Sequence, residues 1–178
     1  MNEIEVKVLD VDTDEVRKTL KSFGCSPVKM EQQENYIYSL PENMSHIKGY
    51  VRIRKVKSLL DGSIKNILCI KKLLSQDTVK SCEEHETEVS SFGACSSFLE
   101  ALGLQFLGKK NKQRESYMFN DTLIEIDVWD KAYFPEPYIE LEGESSERIY
   151  ETLTLLGIPH EKATSLCLEE IKKLRGLE

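Results

Sequence analysis

The chain has 178 residues and a mass of 20.5 kDa, the size of one domain with a sizeable core. Thirty-one acidic against 24 basic residues give a net charge of −7, which excludes a generic nucleic-acid binder held by bulk positive charge. With 40% hydrophobic and 31% charged residues the composition is globular, and no apolar run approaches the ~18 residues that would span a bilayer.

The N-terminal run MNEIEVKV carries charges where a signal peptide would be apolar. The cysteines at 25, 69, 82, 95 and 167 are odd in number and lack CxxC or Cys/His spacing, so they read as reduced thiols of a cytoplasmic protein, with no disulfide frame and no zinc site. Residues 1–178 are expected to form one domain.

In chain order, period-two alternation predicts strands over 2–9, 33–39, 49–57, 65–73, 83–90, 104–109, 112–119, 122–129 and 137–143. Helices are expected over 13–23, 91–102, 146–156 and 163–175. The first has Asp12 as N-cap, Glu15 three residues on, and Gly24 after its last turn. Asp61-Gly62 and Asn120-Asp121 read as hairpin turns. Many antiparallel strands with few helices imply an α+β fold or a barrel. Glu3-Ile4-Glu5-Val6 precedes a helix ending at Phe23-Gly24, and Glu86-Thr87-Glu88-Val89 precedes one ending at Leu102-Gly103. Glu140-Leu141-Glu142 before a third helix adds a partial copy, so a β-α-β unit is read as duplicated.

The charges fall on one face of each strand, because residues two apart point the same way. Glu3, Glu5 and Lys7 oppose Ile4, Val6 and Val8. Arg52 pairs with Arg54, Glu86 with Glu88, Lys112 with Arg114, Glu125 with Asp127, and Glu140 with Glu142. In strand 65–73 either Lys71 shares a face with Cys69 or Lys72 with Ile70, and the pattern leaves this open. A solvated face usually mixes signs, since like charges side by side repel. A closed barrel with a charged interior would collect these faces and turn the apolar ones outward, under the helices. Paired carboxylates suit a hard cation such as Mg²⁺ or Mn²⁺, and Arg/Lys pairs suit phosphate oxygens, which together specify a metal-bound polyphosphate.

Glu3-x-Glu5-x-Lys7 resembles the ExExK signature of the CYTH superfamily, the triphosphate tunnel metalloenzymes. Val51-Arg52-Ile53-Arg54, Cys69-Ile70-Lys71, Glu86-x-Glu88, Lys112-x-Arg114 with Tyr117, Ile126-Asp127 and Glu140-x-Glu142 resemble its later strands in order, over essentially the whole chain. The resemblance implies an eight-stranded antiparallel tunnel with peripheral helices, built from duplicated β-α-β units. It implies a Mg²⁺- or Mn²⁺-dependent enzyme acting on a small-molecule triphosphate. Asp127, Glu140 and Glu142 would hold the principal metal with help from Glu3 and Glu5, and Glu86 and Glu88 would face a second metal or its waters. Lys7, Arg52, Arg54, Lys71, Lys112 and Arg114 would grip phosphates. Tyr36-Ile37-Tyr38-Ser39 lacks the acidic residue the family often carries there. Tyr36 is a candidate to help activate Lys71 or a water.

Phosphoryl transfer needs positioning more than covalent chemistry, and a carboxylate such as Glu5 or Glu88 could orient the attacking water. No nucleophilic triad is evident, and the histidines at 46, 85 and 160 are scattered. The leading expectation is a hydrolase of tripolyphosphate or a related triphosphate, a monomer or homodimer with no nucleic-acid or membrane partner. The alternatives are a class IV-type adenylate cyclase, a thiamine triphosphatase, or a non-catalytic polyphosphate-binding module.

Overall fold

The computed structural model describes residues 2–177, with nine strands and four helices among them. The strands are β1 (Asn2–Val8), β2 (Lys29–Tyr38), β3 (Gly49–Ser58), β4 (Ile64–Gln76), β5 (Lys80–Glu88), β6 (Phe106–Phe119), β7 (Thr122–Trp129), β8 (Tyr138–Gly143) and β9 (Ala163–Thr164). The helices are α1 (Thr13–Ser22), α2 (Phe92–Ala101), α3 (Ser146–Leu155) and α4 (Leu168–Arg175).

All strand pairs are antiparallel, in the order β5-β4-β3-β2-β6-β7-β8-β1. Residues 3–5 of β1 pair with 80–82 of β5 and close the ring into an eight-stranded barrel. The short β9 takes over beside Lys7 and Val8, beyond the reach of β5. The order contains the expected duplication. Exchanging β1 with β5, β2 with β6, β3 with β7 and β4 with β8 reproduces the ring, so two β-α-β-β-β units meet about a pseudo-twofold axis.

Three helices start and stop by the same devices. Asp12, Ser91 and Ser145 accept hydrogen bonds from first-turn amides, at 2.9, 3.2 and 3.3 Å. Gly24, Gly103 and Gly157 adopt left-handed φ of 78°, 84° and 71°, so the next amide returns to a carbonyl of the last turn. Asn120 and Asp121 also have positive φ, 51° and 54°, which makes the two-residue β6–β7 hairpin the expected primed turn.

Some boundaries differ from the sequence reading. The segments 104–109 and 112–119 form one strand, β6, because Lys110-Asn111 has no turn chemistry and β2 pairs along it with a bulge at Leu107, between Phe106 and Gly108. β2 correspondingly starts at Lys29. β5 starts at Lys80, three residues before the expected strand, which adds Lys80 to the face of Glu84 and Glu86. The β3–β4 connection is a loop over residues 59–63, wider than a tight Asp61-Gly62 turn. α4 begins only at Leu168, since 160–162 make a 3₁₀ turn and 163–164 are drawn into β9.

The apolar faces point outward. Val6, Val8, Ile124, Ile126, Ile139 and Leu141 pack beneath Val16 and Leu20 of α1 and Ile149 and Leu153 of α3. Tyr38, Val51 and Ile53 pack beneath Leu99 of α2. α4 departs from the expected arrangement: its Leu168 and Ile171 pack with Phe134 and Tyr138 and close one end of the barrel. Because this outer core carries the fold, Leu153→Ala should cost about 2–5 kcal/mol through transfer and cavity terms. Urea unfolding monitored by circular dichroism should show the midpoint fall accordingly.

Candidate active site

The barrel encloses a cavity of about 640 Å³, lined by charges of both signs. Carboxylates come from β1 (Glu3, Glu5), β5 (Glu84, Glu86), β7 (Glu125) and β8 (Glu140, Glu142), and cations from β1 (Lys7), β3 (Arg52, Arg54), β4 (Lys71), β5 (Lys80) and β6 (Lys112, Arg114). Inward placement follows strand parity, and the register left open on β4 is resolved with Cys69 and Lys71 inside.

The charges neutralise one another. Lys7 bridges Glu5 at 2.9 Å and Glu140 at 2.8 Å. Glu5 also meets Lys71 at 3.1 Å and Lys80 at 2.8 Å. Burial pushes the Glu5 carboxyl up, yet the three lysines hold it well below the usual range. Arg114 reaches Asp127 and Glu140, both at 2.6 Å, and also contacts Glu125. Arg52 lies 3.3 Å from Glu84 and 3.4 Å from Glu86, and Arg54 lies 3.3 Å from Glu86. The buried Cys69 thiol donates to Glu84 at 2.8 Å, and burial pushes it up to about 12.

Burial raises the carboxyls of Glu142 and Glu3 most clearly. Burial, with Glu125 and Glu3 nearby, pushes Glu142 up to about 8, and burial pushes Glu3 up to about 7 against the pull of Lys71. Oxygens of Glu3, Glu5 and Glu142 lie within 4.8 Å of one another, as do those of Glu125, Glu140 and Glu142. Glu142 is common to both groups.

Three expected site residues stand elsewhere. Tyr36 points outward, its ring 4.4 Å from Phe92 and its hydroxyl donating to Glu34 at 2.7 Å, so it touches neither Lys71 nor the cavity. Its parity on β2 is opposite to that of Asn35, which does line the cavity. Glu88 is the last residue of β5; its side chain is 63% exposed at the barrel rim, 3.6 Å from Lys65, and cannot orient a water inside. Asp127 is fully buried on the inner face of β7, behind Arg114 and Lys112. Its Oδ1 accepts from Arg114 at 2.6 Å, and its Oδ2 accepts from Arg114 at 2.6 Å, Lys112 at 2.7 Å and Tyr138 at 3.2 Å. Glu125, one inward position before Asp127 on β7, lies beside Glu140 and Glu142.

Glu84, Glu125 and Lys80 were not among the expected site residues. The helix caps carried a signal for the first: the step from N-cap Asp12 to N-cap Ser91 also takes Gly24 to Gly103, Tyr38 to Tyr117 and Glu5 to Glu84. Glu125 shared the strand face of Asp127. Lys80 had no signal, since its role depends on the β1–β5 register.

At the α4 end the cavity wall becomes aromatic. Tyr50, Trp129, Tyr133 and Tyr138 line it, with the Trp129 and Tyr133 rings 4.9 Å apart. Cations cover several of these faces: Lys110 and Lys172 lie 4.2 and 4.6 Å from the Tyr133 ring centre, Lys112 5.0 Å from Trp129, and Arg52 5.7 Å from Tyr50. Glu169 of α4 ties Lys110 at 2.5 Å and Tyr133 at 3.0 Å.

Residues 1–173 match the CYTH domain. The chain belongs to the CYTH family. Members of the CYTH family are triphosphatases or cyclases, and its tunnel enzymes depend on divalent metal. Sequence comparison with curated proteins gives no match. Among solved structures, the CYTH chain is similar to the PH1012 protein of Pyrococcus horikoshii, with 23% identity, TM-score 0.75, and 94% of this chain and 98% of the other covered. It is similar to a candidate adenylate cyclase from Vibrio parahaemolyticus, with 15% identity, TM-score 0.73 and coverage of 96% and 97%. It is also similar to HpAC1 of Hippeastrum, a candidate adenylyl cyclase with a dominant triphosphatase activity, with 17% identity, TM-score 0.64 and coverage of 98% and 95%. At these identities the likeness shows the shared fold.

The donor chemistry of this CYTH tunnel fits a hard divalent ion: all-oxygen groups converge at Glu142, whose ionisation is opposed first by burial and then by the carboxylates around it. The same burial sets a pH dependence. Glu142 and Glu3 keep their protons in the fold to about 8 and about 7, against an ordinary value of 4.5. Between those values the folded state binds more protons than the unfolded one, so metal-free stability falls as pH rises through them. Glu5 and Glu84 act oppositely, and their contribution is lost only as pH drops below 4.5. In chelator, the melting temperature should therefore decline from about pH 5 toward pH 8.5. Glu142→Gln should flatten this decline and raise the alkaline end, as read by scanning fluorimetry at several pH values.

Proposed function

We propose that the protein is a divalent-metal-dependent triphosphatase that hydrolyses tripolyphosphate in preference to nucleoside triphosphates. The observation that carries this reading is the pair of three-carboxylate groups joined at Glu142, facing Arg52, Arg54, Lys71 and Arg114 within one cavity. Glu3, Glu5, Glu125, Glu140 and Glu142 would hold Mg²⁺ or Mn²⁺. The bound ion would neutralise phosphate charge and lower the pKa of water. Lys7, Arg52, Arg54, Lys71, Lys112 and Arg114 would bind and orient the chain of phosphates, and Lys80 extends the set. Water attacks the terminal phosphorus as the anhydride P–O bond breaks. The electron pair leaves with pyrophosphate, and the two water protons end on orthophosphate and on the leaving group or solvent. The five free cysteines accord with a reducing, cytoplasmic setting.

The aromatic end favours one second reading, a nucleoside triphosphate as substrate for hydrolysis or cyclisation. Against a base there stand the lysines already over Tyr133 and Trp129, which a stacking base would have to displace. Tripolyphosphate, ATP and thiamine triphosphate should be incubated with Mg²⁺ or Mn²⁺, measuring phosphate and cyclic AMP. Tripolyphosphate should turn over fastest, with no cyclic AMP and no turnover in excess chelator. Faster use of ATP, or cyclic AMP, would overturn the substrate assignment.

Arg52→Ala and Arg54→Ala should each raise KM for tripolyphosphate, by about 1.5–3 kcal/mol per lost charged contact, and leave a cooperative melt. Steady-state kinetics beside a thermal melt reads both.

A further inference from the structure

Lys71 stands inside one of the two carboxylate groups. Its Nζ lies 2.5 Å from Glu3 Oε2, 3.1 Å from Glu5 Oε2 and 3.0 Å from Glu84 Oε2. Glu3 and Glu5 are two of the three members of the Glu3–Glu5–Glu142 group. The Lys71 side chain is only 12% exposed, so the ammonium is hydrogen-bonded and largely withdrawn from water. Its backbone is held close to β3, because Gly49 lies against it: a Cβ there would collide with the Lys71 carbonyl oxygen. The anchor is fixed while the four-carbon stem can swing.

An ammonium in contact with these oxygens opposes a divalent ion bound by them, since like charges a few ångströms apart in a buried site repel strongly. Lys7 and Lys80 meet Glu5 at its Oε1, whereas of these three lysines Lys71 alone holds the Oε2 atoms of both Glu3 and Glu5. For those Oε2 atoms to ligate an ion, Lys71 must leave them. A buried ammonium that leaves its carboxylates needs another anion. The phosphate-facing cations Arg52 and Arg54 lie on the neighbouring strand β3, so a phosphate chain held there offers one.

We infer that Lys71 is an internal counter-ion that keeps free divalent metal out of the Glu3–Glu5–Glu142 group, and that a triphosphate releases this block by drawing the ammonium onto its own oxygens. Metal and triphosphate then bind cooperatively, and the coupling is reciprocal. The second half rests on the triphosphatase reading; the first half, competition between Lys71 and the ion, does not.

The test is Mn²⁺ binding without phosphate, with free Mn²⁺ read by electron paramagnetic resonance. Wild type should bind weakly. Lys71→Met and Lys71→Gln should bind roughly tenfold more tightly or better, the usual size of a coupling between two sites. Lys71→Arg, which keeps the charge, and Arg54→Met, which removes a tunnel cation outside this group, should stay near wild type. Adding Glu142→Gln to Lys71→Met should abolish the gain and so locate it. With a bis-methylene triphosphate analogue present, Mn²⁺ affinity should rise in wild type and much less in Lys71→Met. Unchanged Mn²⁺ affinity in both neutral variants, or an equal gain in Arg54→Met, would overturn the inference. So would failure of both neutral variants to fold, because a cation the fold requires cannot exchange. Failure of the triphosphatase reading would show separately, as no phosphate release by wild type, and would leave the phosphate-free comparison intact.

Discussion

The structure depends on charge balance inside a closed barrel. More than a dozen ionisable side chains face one cavity, and each ion removed from bulk water needs an opposite partner. The network answers this locally. Asp127 accepts from Arg114, Lys112 and Tyr138, Arg114 is shared among three carboxylates, and Glu5 is ringed by three lysines. At Glu142 and Glu3 burial outweighs the nearby cations and raises the carboxyls, so protons contribute to the balance there.

Such pairing repays desolvation and contributes little surplus stability. The barrel must therefore be held from outside, and its sheet is apolar on the outer face. α1 and α3 cover the β1, β7 and β8 sector, and α2 covers β2 and β3. The same alternation that sends Glu140 inward sends Ile139 and Leu141 under α3. α4 is free of this duty and closes the barrel at one end, with Leu168 toward the cavity and Glu169 tied to Lys110 and Tyr133.

Much of this was legible in the chain. Period-two alternation gave the inward face of each strand, because a side chain's direction is a local property of the pleat. The helix caps at Asp12 and Gly24 read correctly for the same reason. What failed was non-local. Whether Cys69 or Ile70 faced inward depended on pairing with β3, and the merger of two expected strands into β6 depended on β2 running beside it. The start of α4 gave way to β9 because an edge of β1 needed a partner. Glu88 and Asp127 had the right parity; the first lies at the rim and the second behind Arg114 and Lys112, and depth along a strand has no sequence period. Tyr36 was misplaced by one residue of parity relative to Asn35, and so moved to the opposite side of the sheet.

The ring closes through β1, whose partners are residues 80–83 of β5, 139–143 of β8 and 163–164 of β9. Within this chain β1 precedes all its partners, and its β8 neighbour is made more than 130 residues later. Until residues 139–143 are made, the β8 side of β1 is an unpaired edge, open to pairing with other chains. Glu3, Glu5 and Lys7, inward-facing in the finished barrel, then face solvent on that edge and discourage such pairing. The charges of the tunnel also guard the nascent chain.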